Sequence, residues 1–282
     1  MSIPPSSTIW RIACVQLNSQ NDLEANIVRA CNFITQAHQQ GANVVTLPEN
    51  VAFMGKNKDE LLAHSFRETQ HPALAAFKTL AASLRVWILV GSLPIIIPNN
   101  PKRTNRSFLI APDGKIHARY TKIHLYDVSV EGGESHQESL LFTPGKTASV
   151  ISTPFGKLGM TICYDVRFPH LFRRLAQKGA QLITVPSAFT SYTGKAHWHV
   201  LLRARAIETA SYIIAPAQVG THPSGRSTYG HSLIIDPWGT VLADGGEREG
   251  VVLADIDLDY VTRIRQQLPS LHLQSSFSIA ST

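Results

Sequence analysis

The sequence predicts an α/β fold built as a four-layer α-β-β-α sandwich with an internal pseudo-two-fold repeat. Three observations predict it. The segment Gly41-Ala-Asn-Val-Val-Thr-Leu-Pro-Glu49 resembles Gly179-Ala-Gln-Leu-Ile-Thr-Val-Pro-Ser187, with Gly, Ala, Thr and Pro in matching places. A second pair, Ser107-Phe-Leu-Ile-Ala-Pro-Asp-Gly114 and Ser232-Leu-Ile-Ile-Asp-Pro-Trp-Gly239, follows in the same order. The strand segments are nearly continuous in apolar residues, so both faces of each sheet need cover. Two sheets packed face to face, with helices outside, meet that requirement.

Each element has a local reason. Residues 22–40 read as a helix, and Gly41 stands where a helix C-cap is expected. The run 44–47 is short and rich in β-branched residues, as in a buried strand, and Pro48 ends it because proline cannot donate to the ladder. A helix over 72–84, a strand over 86–91 and a strand–turn–strand over 107–119 complete the first half. The second half repeats the order: a strand ending near Ile162, a helix over 169–178 capped at Gly179, and a strand over 182–185. Then come a helix over 196–210, a strand over 212–217 and a strand–turn–strand over 232–243. In the helix over 196–210, Val200, Ala204 and Ile207 fall on one face at i, i+4 and i+7, which marks that face as the buried one.

Composition narrows the function classes. Charged residues are 16% of the 282, against about 25% in an ordinary soluble domain, so other subunits are expected to cover part of the surface in a homodimer or higher homo-oligomer. The net charge of +6 suits an anionic small molecule, whereas basic residues scattered without a run of five give no nucleic-acid footprint. Three cysteines, Cys14, Cys31 and Cys163, are not a disulfide framework. No secretory signal opens the chain, and the longest apolar stretch, 86–97, is broken by Gly91, Ser92 and Pro94. The expectation is a cytoplasmic protein that does not meet a membrane. It has a flexible tail over 1–8, one domain over 9–268, and a Ser-rich polar tail over 269–282.

Three residues are candidates for chemistry. Cys163 follows a strand and precedes a tight turn and a helix start near Pro169, where backbone N–H groups stabilise a thiolate or an oxyanion. The same place also suits a buried cysteine packing as a small hydrophobe. Glu49 follows a buried strand, where a carboxylate is costly unless solvated or paired; an ordinary loop acid is the alternative. Lys122 lies in an alternating segment and reads either as a functional cation or as the wet side of an edge strand. No spacing rule joins the three.

Pro48-Glu49, Tyr120-x-Lys122-x-His124-Leu125 and Cys163-Tyr164-Asp165-x-Arg167-Phe168-Pro169 resemble, in order, the signatures of the nitrilase, or carbon–nitrogen hydrolase, superfamily. The resemblance runs from about Ile9 to Arg265 and implies the sandwich fold. It implies Cys163 as nucleophile, Glu49 as general base, and Lys122 with the backbone N–H of Tyr164 as oxyanion stabilisers. It also implies a supporting glutamate, matched by Glu138, although Glu131 and Glu134 lie in the same loop. No metal or organic cofactor is implied.

Further segments, among them Thr193-Gly-x-Ala-His-Trp198 and Arg203-Ala-Arg-Ala-Ile-Glu208, resemble the Nit branch. That branch implies hydrolysis of deaminated glutathione; the sister omega-amidase branch, acting on 2-oxoglutaramate, is the alternative. Such an anionic amide calls for arginine, and Arg167 is the first candidate, with Phe189 and Thr193 for the pocket wall. His197 and His199 do not make a metal site by spacing, since no third histidine or carboxylate is in helical register with them. An interaction protein that kept the fold and lost the chemistry is the reading from another class. The presence of Glu49, Lys122 and Cys163 together argues against it.

Overall fold

The computed structural model describes residues 9–131, 135–273, 276 and 278–280. The N-terminal tail expected over 1–8 lies outside the described residues, as do Glu134 and part of the expected C-terminal tail. The first half runs β1 (Ile9–Gln16), α1 (Leu23–Gln39), β2 (Val44–Thr46), α2 (Lys58–Ala63), α3 (Pro72–Leu84), β3 (Trp87–Ile96), β4 (Arg103–Ile110) and β5 (Ile116–Thr121). A ribbon of β6 (Asp127–Ser129) and β7 (Ser135–Gln137) leads into the second half. That half runs β8 (Val150–Thr153), β9 (Gly156–Met160), α4 (Pro169–Gln177), β10 (Leu182–Thr184), α5 (Ser191–Thr209) and β11 (Tyr212–Ala215). The ribbon β12 (Val219–Thr221) and β13 (Ser227–Tyr229) follows, then β14 (Leu233–Ile235), β15 (Val241–Asp244), β16 (Gly250–Asp257) and α6 (Leu258–Gln267).

Two six-stranded sheets result, ordered β16-β1-β2-β3-β4-β5 and β15-β14-β11-β10-β9-β8. In the first, β1, β2 and β3 are parallel and β4 and β5 antiparallel. In the second, β9, β10 and β11 are parallel and β14 and β15 antiparallel. The repeat is therefore reproduced strand for strand. Each sheet gains its sixth strand from outside the repeat: β16 pairs antiparallel with β1, and β8 with β9. Neither added strand is foreseen from the sequence, because neither has a counterpart in the duplicated pattern.

Alternation along β1 shows the layering. Ala13 and Val15 join a core with Ala30, Ile34 and Ala37 of α1 and Leu74, Phe77 and Ala81 of α3. Ile12 and Cys14 point the other way, into a core shared with the second sheet and with Phe172 of α4 and Leu202 of α5. Helices thus cover the outer face of each sheet, and the inner faces meet. Local signals set the helix ends. Asp22 caps α1 by accepting from the N–H of Ala25 at 3.0 Å, and Gly41 and Gly179 take φ of +86° and +96° just past their helices.

The helix α5 departs from expectation twice. It starts at Ser191 rather than Ala196, with Gly194 inside it. A Cβ on Gly194 would lie 2.5 Å from the Cβ of Tyr229, so this glycine serves a close approach to β13 and does not break the helix. Its buried face is Trp198, Leu202, Ala206 and Thr209, while Val200 and Ile207 are 67% and 52% exposed. The stripe expected to be buried is the outer one; spacing alone cannot tell which of two apolar stripes meets the sheet. After α6 the chain stays docked through Leu271, which is buried, and Arg173 donates to the carbonyl of Ser270 at 3.2 Å.

Candidate active site

Glu49 follows β2 through Leu47 and Pro48, and the backbone there is pressed against β3. A Cβ on Gly91 would lie 2.0 Å from the Leu47 carbonyl oxygen, so only glycine lets the two segments meet. The carbonyl of Glu49 accepts from Nε2 of Gln218 at 3.0 Å, and Asn50, at φ +54°, donates its N–H to Oγ of Ser92 at 3.0 Å. Lys122 directly follows β5. Its N–H donates to the carbonyl of Asn105 at 2.9 Å, and its carbonyl accepts from Gly145 at 2.8 Å. Cys163 follows β9 at φ +48°, a left-handed conformation that a non-glycine residue holds only when its surroundings enforce it.

Asp165 is part of what enforces it. Fully buried, it accepts at Oδ2 from the Tyr120 hydroxyl at 2.7 Å and the Ile162 N–H at 2.9 Å. At Oδ1 it meets the N–H of His124 at 3.1 Å and His124 Nδ1 at 2.7 Å. One carboxylate thereby ties the Tyr120–His124 segment to the turn that presents the cysteine. The His124 ring also stacks on Phe168 at a centroid distance of 3.5 Å.

The three candidate residues converge. Lys122 Nζ donates to Glu49 Oε1 at 2.9 Å and to Glu138 Oε2 at 2.8 Å. Asn105 Nδ2 bridges the same two carboxylates at 2.9 and 3.1 Å. Glu138 also accepts from the N–H of Tyr126 at 2.7 Å, and Glu49 Oε2 accepts from the N–H of Ala188 at 2.9 Å. Of the rival acids, Glu131 is exposed. The Cys163 thiol faces the same cavity as Glu49 and Lys122.

Burial works against the charge on Glu49, yet Lys122, the thiol and the Ala188 N–H outweigh it, and the carboxyl stays below its usual range. Burial likewise opposes the Lys122 ammonium, but Glu138 and Glu49 raise its pKa. Burial and then the Glu49 charge push the Cys163 thiol up to about 12, against the lowering effect of Lys122. The resting site is a carboxylate, an ammonium and a neutral thiol.

These groups open on a cavity of about 320 Å³, also lined by Tyr164, Phe189, Thr193 and Arg226. Phe189 and Thr193 are on the wall of this cavity. Arg167 is not among the lining residues: its guanidinium sits 5.3 Å over the Phe189 ring and reaches His197 Nδ1 at 3.3 Å. The arginine on the wall, beside the Lys122 ammonium, is Arg226, whose guanidinium donates to the Ala188 carbonyl. A carbon–nitrogen hydrolase family model matches residues 11–266.

The chain belongs to the carbon–nitrogen hydrolase family. It is accordingly a hydrolase acting on a carbon–nitrogen bond. A deaminated glutathione amidase of Synechocystis sp. is 45% identical over 267 residues, 92% of this chain and 96% of that one. The Caenorhabditis elegans nitrilase and fragile histidine triad fusion protein NitFhit is 41% identical over 260 residues, 92% of this chain and 59% of its own. Among solved structures, Saccharomyces cerevisiae Nit3 superposes with a TM-score of 0.84 at 31% identity, covering 93% of this chain and 94% of that one. An amidase from Nesterenkonia sp. AN1, solved with acrylamide added at its active site cysteine, superposes at 0.76 with 28% identity. That match covers 94% of this chain and 100% of the amidase.

Within this carbon–nitrogen hydrolase, sequence reasoning missed Asn105, whereas Gln218 and Arg226 fall in the segments 217–222 and 226–231, which lie outside the triad motifs and resemble the Nit branch. Asn105 sits in the polar half of β4, between Thr104 and Arg106, where nothing in the sequence marks it; what Gln218 and Arg226 contact depends on loops that meet only in the folded chain.

Proposed function

We propose that this chain is a cysteine-dependent amidase that hydrolyses deaminated glutathione to 2-oxoglutarate and Cys-Gly. The observation that carries the chemistry is Glu49, Lys122 and Cys163 facing one cavity, with Lys122 bonded to Glu49 at 2.9 Å. The substrate reading is supported by relatives named deaminated glutathione amidase at 38–45% identity, and by Arg226 on the wall with Arg167 behind Phe189. The Arg226 guanidinium on the wall suits a substrate that carries a carboxylate.

The resting charges dictate the order of events. The thiol is neutral, so Cys163 attacks the amide carbonyl carbon as Glu49 takes its proton. Negative charge builds on the carbonyl oxygen, where Lys122 and the backbone N–H of Tyr164 stabilise it. Glu49 passes the proton to the departing amine of Cys-Gly, and a thioester remains on Cys163. Water then attacks that carbonyl while Glu49 takes a proton from it. Collapse releases 2-oxoglutarate, and the sulfur recovers the proton from Glu49. Glu138 and Asn105 hold Lys122 and Glu49 in register throughout.

The test is kcat/KM for deaminated glutathione, 2-oxoglutaramate and glutathione under one set of conditions. Deaminated glutathione should lead, because the dipeptide end supplies binding energy that lowers the barrier at the carbonyl. A 2-oxoglutaramate value equal or higher would assign the chain to omega-amidase chemistry. Intact mass after brief mixing should show the 2-oxoglutaryl group on Cys163.

The reading extends to setting and assembly. We place residues 9–268 in one catalytic domain, in the cytoplasm, where its three free cysteines stay reduced. No described helix is long and apolar enough to cross a membrane. A homo-oligomer is proposed from the exposed apolar side chains Ile207, Trp238, Leu268 and Leu273, which line one depression; light scattering tests it.

A further inference from the structure

We propose that His199, His231 and Asp244 form a site for one divalent transition-metal ion, zinc being the best match, on the surface of the second sheet's helical layer. His199 lies on α5, His231 between β13 and β14, and Asp244 at the end of β15. Their ligand atoms all lie within 4.8 Å of one another. Helical register offers His199 no further ligand along α5, whereas His231 and Asp244 arrive from other elements.

The geometry is close to what an ion requires. Asp244 Oδ2 is 3.1 Å from His199 Nε2, and Oδ1 is 2.9 Å from His231 Nδ1. Zinc bonds of about 2.0–2.1 Å in a tetrahedron set ligand–ligand edges of about 3.3 Å. These separations involve different oxygens of Asp244, so to bind through one oxygen the carboxylate turns as the two imidazole nitrogens approach each other; all three ligand atoms start within 4.8 Å of one another. Two imidazoles and one carboxylate are a donor set that suits zinc and its neighbours. The side chains remain 33%, 19% and 35% exposed, which leaves a fourth position open to water.

The ligands are held in place beforehand. His231 sits at φ +50°, donates its N–H to the Gly246 carbonyl at 2.7 Å, and accepts at its carbonyl from Trp198 Nε1 at 2.8 Å. The Tyr229 ring stacks on it at 4.4 Å. Asp244 Oδ1 also accepts from the Gly246 N–H at 2.9 Å, the kind of outer contact that orients a ligating carboxylate. In the metal-free form each imidazole hydrogen-bonds the carboxylate. On binding, each ring moves its N–H to the other nitrogen, and the ion takes the place of the two hydrogen bonds. None of the three residues lines the catalytic cavity, so the site is separate from the hydrolytic one. Its effect is to clamp α5 to β15 and the β13–β14 connection.

The experiment uses the full chain, stripped with a chelator and titrated with Co²⁺, then competed with Zn²⁺. Expected are one equivalent of Co²⁺ per chain with visible d–d bands, no thiolate charge-transfer band, and a rise in Tm with Zn²⁺. His199→Ala and Asp244→Asn should each weaken binding about tenfold or more while their metal-free Tm stays near that of the parent. Cys163→Ser should bind as the parent does. The proposal falls if the parent binds no better than His199→Ala, if binding is lost in Cys163→Ser instead, or if the thiolate band appears.

Discussion

Asp165→Asn tests whether one buried carboxylate holds the catalytic turn. Asparagine keeps the shape but turns one acceptor oxygen into an N–H₂. If the amide nitrogen takes the Oδ2 place, the Tyr120 hydroxyl can turn to accept from it, but the Ile162 N–H, now at 2.9 Å, faces a donor. If it takes the Oδ1 place, His124 Nδ1 can change tautomer to accept, but the His124 N–H is stranded at 3.1 Å. Either way one buried N–H loses its partner, at about 1–3 kcal/mol, and the remaining bonds lose their charge-assisted part. The expected loss is about 3 kcal/mol, read as a lower urea midpoint at unchanged m-value. Because the same bonds support the left-handed Cys163, kcat should fall in the surviving folded enzyme. A loss below about 1 kcal/mol with normal kcat would refute the reasoning.

Cys163→Ala should fold and show no hydrolysis, whereas Lys122→Met and Glu49→Gln should lower kcat far more than they raise KM; a variant that only weakens binding would have been given the wrong role. Burial pushes Cys14, like Cys163, up to about 12 from an ordinary value near 9.0. The unfolded thiols ionise first, so stability should fall by about 1.4 kcal/mol per pH unit for each thiol as pH rises from 9 towards 12, and Cys14→Ala should remove its share of that slope in urea titrations. Burial alone lowers His71 to about 4 from 6.5, and neither ring nitrogen has a partner. Stability present above pH 6.5 should therefore drain by about 3 kcal/mol as pH falls to 4. His71→Phe should flatten the slope between pH 7 and 5, and an unchanged slope would show that another group carries it.

The elements legible in the sequence are those set by short-range physics. The helix over 22–40, Gly41 and Gly179 past their helices, the Pro48 and Pro186 stops and the β-branched runs before them are decided by neighbouring residues, and their repetition already implied two similar sheets. The candidate triad was legible only because its motifs resemble a family; the residues themselves carry no spacing that joins Glu49 to Lys122 or Cys163. What tertiary structure alone decided are the encounters between distant segments. β16 and β8 complete the sheets because free strand edges lay open to them. The Val200 and Ile207 stripe faces outward because Trp198 and Leu202 fit the sheet. Asn105 bridges two carboxylates, Arg226 reaches the cavity wall, and His199 finds His231 and Asp244. Each such contact joins residues on different elements, where periodicity along the chain holds no information about which side chains will meet.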